Sequence, residues 1–501
     1  MSARAVALCQ SLCVVPFFGS LHIVDPMPSS SPRVLDAIVI GAGPSGLGAS
    51  IALSGWRPHY VPRCPLEDRA LERRLSAESL VSASRSLTAG LSGRSNNPLA
   101  LLFDALQHPG VDSGSPQPSC LQLRRDPSAA LTHVFLDASP PGGAWHAMHE
   151  ATRTLSPGPW MELPGFALAD FLRARAPALT AKSAAAAAAM RQPRRLIAEY
   201  YVAAASHFDV QQHHRPWRAA SVRRARDGDA GADGGGAAAW IVESADGTTP
   251  PLLARSVVLA VGTAGVPRKL GIEGEELPMV SHKCAALPDE ARSVLVVGAG
   301  LSAADCIVHL LGQGKTVLHA FRGDAETTKV GSKFGSPGAQ SFYPEYHALV
   351  RAMKSNGPAQ LLGGRYEALA GAELKLIRED GTCNLSRGAR EGSAVNVQAV
   401  GVMIGASPDL SFLAPPVREA LEGAGVPRQL SADGVKATHE VFIDVDPYTM
   451  ETEAVPGLFA LGPLRGDNFA RFALHDGHGV AEALRERRVE SEDETECAEI
   501  E

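Results

Sequence analysis

Asp36-Ala37-Ile38-Val39-Ile40-Gly41-Ala42-Gly43-Pro44-Ser45-Gly46 is the stretch on which the fold turns. Its first five residues, four of them apolar, predict a buried strand, and the glycines after it predict a tight turn opening into an Ala- and Leu-rich helix. Each glycine has its own physical reason. Gly41 permits the turn, Gly43 lets a pyrophosphate approach the backbone, and Gly46 lets the helix pack close to the strand. The amides of the helix start, Ser45 among them, supply donors and the positive end of a dipole. Glycine turns before helices are common, so the motif alone is weak. The order of strand, turn and helix is what makes it a nucleotide cradle.

A second copy starts in the middle of the chain. Val294 to Val297 read as a strand, Gly298-Ala299-Gly300-Leu301-Ser302-Ala303 as the turn, and Ala304 to Leu311 as the helix, stopped by Gly312 and Gly314. Thr316 to Phe321 then predict the next parallel strand. Gly298 and Gly300 fill the first two roles, while Ala303 takes the third, a variant often seen with NADP. Arg322 follows the strand where an acid would grip a ribose hydroxyl. An arginine there, with no acid until Asp324, points to NADPH over NADH, because a carboxylate would repel the 2′-phosphate. The matching place in the first copy is Tyr60-Val61-Pro62-Arg63, which lacks the expected acid; Glu67 or Asp68 are the nearest substitutes.

Two further segments bracket the second copy. Val257 to Thr263, including the glycine turn at Gly262, reads as a strand just before it, and Val402-Met403-Ile404-Gly405 repeats the pattern just after it. Such a bracket is what an inserted domain predicts. The expected division is an N-terminal extension at 1–35, a first domain at 36–287 and 405–485, an inserted domain at 288–404, and an acidic tail at 486–501. The fold class is α/β, with two dinucleotide-binding, Rossmann-like domains, the NADPH domain inserted in the other, and the active site expected where they meet.

Composition agrees with a globular chain: of 501 residues, 45% are apolar and 20% charged, and 49 Gly with 36 Pro imply many turns. A formal net charge of −7 gives no footprint for nucleic acid, so no such partner is expected. Arg191, Arg194 and Arg195 read as solvated surface. No Cys pair has C-x-x-C spacing, which argues against a zinc site and against a disulfide-reducing pair, and no metal is expected. The apolar run at 5–24 is broken by Gln10, Pro16 and His22, so no membrane anchor is read there. A frayed extension in a cytoplasmic protein is the first reading of that segment and a mitochondrial presequence the second.

From Ile38 to about Leu484 the chain resembles the oxidative-stress-induced growth inhibitor family, relatives of the flavin-containing and N-hydroxylating monooxygenases. The resemblance is carried by Gly93-Arg94-Ser95-Asn96-Asn97-Pro98, Pro141-Gly142-Gly143-Ala144-Trp145-His146, Trp160-Met161-Glu162-Leu163-Pro164, Tyr343-Pro344-Glu345-Tyr346-His347, Asp409-Leu410-Ser411-Phe412-Leu413 and Gly462-Pro463 with Gly466-Asp467-Asn468-Phe469. It implies FAD in the first cradle and NADPH in the second, with Gly143 and Trp145 by the flavin ring, His146 behind them, and Met161 and Leu163 as in the N-hydroxylases. A strand at Gly457 to Gly462, then Asp467, Asn468 and a helix from about Gly477 to Leu484, would meet a reduced flavin with a favourable dipole. The usual Gly-Asp after the last strand is replaced by Gly462-Pro463, with the acid delayed to Asp467.

The activity so implied is transfer of one oxygen from O2 to a soft nitrogen or sulfur nucleophile of a small molecule. No catalytic side chain is named, since the cofactor performs the hard step. Two alternatives stay open: an NADPH oxidase releasing hydrogen peroxide, and a non-catalytic nucleotide-binding regulator of growth or cell division that works through protein partners.

Overall fold

The computed structural model describes residues 33–75, 79–226, 239–355, 358–387, 392–423 and 442–500, the side chains of 491–500 aside. The expected N-terminal extension up to residue 32, with either reading of its leader, and nearly all of the glycine-rich loop 227–239 lie outside the described residues. Among the described residues no helix is long and apolar enough to cross a membrane.

The chain divides into two compact units, the first reaching Met148, resuming at Arg153–Gly262 and again from Leu410, the second formed by His149–Thr152 and Thr263–Asp409. The second reaches beyond the expected 288–404 at both ends. The reason is strand pairing: Val266–Pro267 pairs antiparallel with Ala406–Ser407, and Val280–Ser281 joins Ala399–Val402, so these flanks belong to the second unit.

In the first unit, Val34–Ile40 is the centre of a seven-stranded sheet. It runs parallel to Leu252–Leu259 on one side and to His133–Leu136 on the other. Buried on both faces, it is a near-continuous apolar run, as parallel sheets require. Leu252–Leu259 also pairs in parallel with Leu458–Ala460, which brings the C-terminal segment into the N-terminal sheet. One helix, Pro44–Leu53, covers one face, with Leu47 and Ile51 packed against Tyr200, Tyr201 and Leu474.

The second unit repeats the plan. Ser293–Val297, helix Leu301–Gly312 and strand Thr316–Phe321 follow the expected order, and the two strands pair in parallel. Gly364–Ala370 extends the sheet beyond them in parallel, and Ala399–Val402 lies on the opposite side. A separate three-stranded antiparallel sheet, Ala372–Ile377, Thr382–Arg387 and Ala394–Asn396, packs Leu374 and Leu385 with Leu295 and Val400.

Two expectations need correction. The segment at Trp56–Tyr60, read as running into the second strand of the first cradle, does not join that sheet; it pairs antiparallel with Leu121–Arg125. Sequence order suggested the wrong strand because about 70 residues, 61–130, intervene before the one that pairs. The acidic tail is also not irregular. Its backbone continues the last helix, which spans Gly477–Ile500 rather than ending near Leu484. Its Glu- and Arg-rich sequence has high helix propensity, and propensity extends a helix once a packed first half has nucleated it.

Candidate functional site

The two turns share one geometry. Gly41 has φ 112° and Gly298 φ 117°. A Cβ on Gly41 would run into the carbonyl of Ala260, and one on Gly298 into that of Met403. Glycine is demanded by the fold at these first positions. The second positions differ. Gly43 and Gly300 are extended N-caps, and a Cβ on either would meet no protein atom within 4 Å. Nothing in the chain forbids a side chain there. What a Cβ would fill is the space over the helix N-terminus, where amide donors and the helix dipole favour an anion. At the third position a Cβ on Gly46 would strike the Gly41 carbonyl, whereas Ala303 is accommodated and fully buried. The second turn is thus slightly wider, as its sequence implies.

In the first unit, three other segments close around the turn. The loop at Gly142–Gly143 clamps it from above: the Gly142 amide donates to the Ala42 carbonyl at 2.7 Å. A Cβ on Gly143, at φ 53°, would lie 2.8 Å from the Gly43 Cα. The loop is itself anchored by Arg194, whose Nη1 donates to the carbonyls of Trp145 at 3.4 Å and His146 at 3.2 Å. Arg194 is therefore not the solvated surface residue expected, and neither is Arg191, which is 5% exposed and donates from Nε to the Thr154 carbonyl. Trp145 is half-buried against the cluster that holds Leu47 and Tyr201. The His146 ring bonds the Pro141 carbonyl at 3.1 Å, which satisfies it locally and braces its own loop. Met161 and Leu163 are core residues of that cluster. Tyr201 donates its hydroxyl to the Met161 carbonyl, and the Leu163 amide donates to the Tyr200 hydroxyl.

The second segment supplies an acid that the sequence reading missed. Strand His133–Leu136 runs beside Val34–Ile40 with Leu136 opposite Ile40, so Asp137 emerges next to Gly41. Its Oδ2 accepts from the Ala42 amide at 3.2 Å and its Oδ1 from the Ser139 amide at 2.8 Å. An apolar run closed by one carboxylate, Val134-Phe135-Leu136-Asp137, is the signal that could have found it.

The third segment is the C-terminal return. Gly462 ends the short strand so close to the first helix that a Cβ there would collide with the Ser45 hydroxyl. Its amide donates to Asp476 Oδ2 at 2.7 Å, and Asn97 Nδ2 donates to Asp476 Oδ1 at 2.6 Å. The Ser95 hydroxyl donates to Asp467 Oδ1 at 2.5 Å. Arg465 lies 3.8 Å from both carboxylates. Burial pushes the Asp476 carboxyl up to about 7, with Arg465 opposing the shift, and burial drives the His475 ring down to about 3. Asp467 Oδ2 and Arg465 Nε are buried without a hydrogen-bond partner among the described residues. Such orphans call for a polar partner beyond the described residues. Asn468, by contrast, is exposed and bonds the Gly466 carbonyl. Gly262, at φ 66°, sits just past strand Leu252–Leu259, at the same sheet end as the first turn.

The second cradle is barer. Arg322 projects from the end of Thr316–Phe321 with its side chain 82% exposed, 3.0 Å from Glu373, which also holds Lys375 at 2.6 Å. Ser302 is exposed on the turn.

Comparison with known proteins agrees with this architecture. Residues 238–462 match the family described as pyridine nucleotide-disulphide oxidoreductase. Oxidative stress-induced growth inhibitor 1 of Mus musculus is 33% identical, over 93% of this chain and 98% of its own length. Among solved structures, the bacillithiol disulfide reductase Bdr of Staphylococcus aureus aligns with a TM-score of 0.53 at 15% identity, over 91% of this chain and 99% of that one. The ornithine hydroxylase PvdA of Pseudomonas aeruginosa aligns with a TM-score of 0.52 at 14% identity, over the same shares. The fold is thus that of two-domain flavin oxidoreductases, and the expected cofactors, FAD and a nicotinamide dinucleotide, accord with it.

Proposed function

From the premise that this chain belongs to the oxidative stress-induced growth inhibitor family, as identity over nearly its full length shows, we propose that it is an NADPH-dependent flavin monooxygenase acting on a soft nitrogen or sulfur nucleophile. The first cradle holds FAD and the second NADPH. The observation that carries this reading is the clamp on the first turn, Gly143 against Gly43 with Trp145 just beyond it, built from the segment that resembles the monooxygenases.

A bound flavin would supply two-electron redox chemistry between a nicotinamide and dioxygen. The chain's own groups bind and orient. Amides at the start of helix Pro44–Leu53 meet the pyrophosphate, and Asp137 reaches a ribose hydroxyl while holding the turn through the Ala42 amide. The buried Asp467 and Arg465 offer their free atoms to a polar part of the cofactor, and Trp145 walls off water. In the second unit Arg322 takes the 2′-phosphate, exchanging one partner anion, Glu373, for another.

Cysteine spacing favours oxygen over a dithiol relay as the electron acceptor, since no pair in the chain has C-x-x-C spacing. The thiol of the partly exposed Cys284 is lowered by its contact with Cys306, which is itself fully buried and pushed up by the same contact. The test is stoichiometric. In air, with a panel of amines and thiols, NADPH consumed should equal oxygenated product for the right substrate. Peroxide equal to NADPH consumed with every compound would establish the oxidase instead. A purified protein without flavin absorbance would leave only the binding role.

A further inference from the structure

We propose that Cys64 and Cys120 are a reversible dithiol–disulfide site, oxidised by a hydroperoxide, that staples the neck of the long insertion between residues 61 and 120. The inference is independent of the reaction proposed above, because peroxide from any source serves as oxidant.

The placement is a consequence of the strand ladder. Trp56–Tyr60 and Leu121–Arg125 pair antiparallel, with Tyr60 opposite Leu121, and the Val61 amide donates to the Cys120 carbonyl at 2.9 Å. The ladder therefore delivers the two chain ends of the insertion side by side, and the sulfurs stand 3.4 Å apart. No rearrangement of the fold is needed to bring them within bonding reach. The two thiols are not equivalent. Cys120 is fully buried, its amide held by the Leu106 carbonyl, while Cys64 is partly exposed. Oxidant reaches Cys64 first and Cys120 resolves it. In the first step the Cys64 sulfur attacks the peroxide, the O–O bond breaks, and a sulfenic acid and water form. In the second, the Cys120 sulfur displaces the hydroxyl, which leaves as water with the Cys120 proton. Two S–H bonds are exchanged for one S–S bond, two electrons pass to the peroxide, and with hydrogen peroxide as oxidant two waters result.

The staple has something to hold. The insertion carries Ser95 and Asn97, which bond Asp467 and Asp476, and Asp104, which is paired to Arg471 through Nη2 at 2.6 Å. Closing its neck removes conformational freedom from the opened segment, so the polar contacts around the first cradle open less often. The reaction is slow at neutral pH. Burial and the neighbouring thiol hold Cys64 well above its ordinary value, to about 11, and only the thiolate reacts. Its rate should rise about tenfold per pH unit from 7 to 9.

The experiment uses the full chain, treated with hydrogen peroxide, alkylated and digested without reductant. Expected is a cross-linked peptide pair joining Cys64 to Cys120, lost on treatment with dithiothreitol, formed faster at pH 9 than at pH 7, and accompanied by slower amide exchange in residues 79–107. The same oxidation of C64S should leave Cys120 free and amide exchange unchanged. Because the peptide map is read on the unaltered chain, a misfolded variant does not blunt the test. A Cys64 driven to sulfinic acid with Cys120 still reduced would overturn the proposal. So would a Cys284–Cys306 link formed while Cys64 and Cys120 remain thiols.

Discussion

The two cradles are built from the same turn, yet one is embedded and the other is bare. Around Gly41–Gly46 close the Gly142–Gly143 loop, Asp137, and the return at Gly462 with its buried carboxylates. Around Gly298–Ala303 the charged group in the expected place is Arg322, exposed and shared with Glu373. A shared motif therefore says where a dinucleotide lies, and the segments brought to it say how long it stays. The first cradle is suited to a resident cofactor and the second to one that binds and leaves.

The largest effect that can separate them lies in the polar support of the first. Arg471 is 3% exposed and holds the carboxylate of Asp104. Arg471→Ala leaves that carboxylate buried and unpaired, and should cost about 3–5 kcal/mol, read as a fall in thermal midpoint. Arg322→Ala, at the exposed pair of the second cradle, should change stability by less than about 0.5 kcal/mol. It should instead erase most of the preference for NADPH over NADH. Equal destabilisation by both would dissolve the contrast.

Substitution at the second glycines sharpens it. Neither Gly43→Ala nor Gly300→Ala meets a protein atom, so neither should unfold its unit. Gly43→Ala should purify with flavin content reduced about tenfold or more, the equivalent of about 1.4 kcal/mol of lost binding. Gly300→Ala should keep its flavin and show a raised KM for NADPH. Loss of flavin from both would mean that the cradles are not independent.

Acid offers a smaller, graded distinction. Burial lowers His108, His133, His475 and His478, all in the first unit, to about 3. A depressed histidine contributes stability that is full above its unfolded value near 6.5 and is lost as pH falls toward its folded one. Asp476 and Glu162 act in the opposite sense. Their folded values are raised to about 7, so their contribution is full below about 4 and is lost as pH rises through 7. Four groups outweigh two between pH 6.5 and 4, and each unmatched proton is worth about 1.4 kcal/mol per pH unit. In the second unit, among the described residues, burial drives His319 alone so far down, to about 4. Thermal scans should show a maximum near pH 6.5, and amide exchange should show the first unit loosening before the second on its acid side.

How much of this the sequence disclosed follows from what each feature depends on. Both turns, their strands and their helices were legible, because glycine spacing and apolar runs are local. The insertion obscured the rest of the first cradle: Asp137 is 95 residues from Ala42 in sequence and bonded to its amide in the fold. The nonlocal pairing also hid the Cys64–Cys120 contact, since a rule based on C-x-x-C spacing sees only neighbours in the chain. Arg191 and Arg194 were read as surface because charge in sequence gives no sign of a carbonyl waiting for it in space. Asp467 was legible as a residue, but its support by Ser95 was not, nor was Asp476 with its partner Asn97.

Titrating the purified protein with NADPH under nitrogen, while watching the visible flavin band, tests the central claim most directly. The account predicts a yellow protein whose band bleaches fully at one NADPH per flavin and returns when air is admitted. A protein that carries flavin but keeps its band with NADPH in excess would contradict it, since the two cradles would then share no electron.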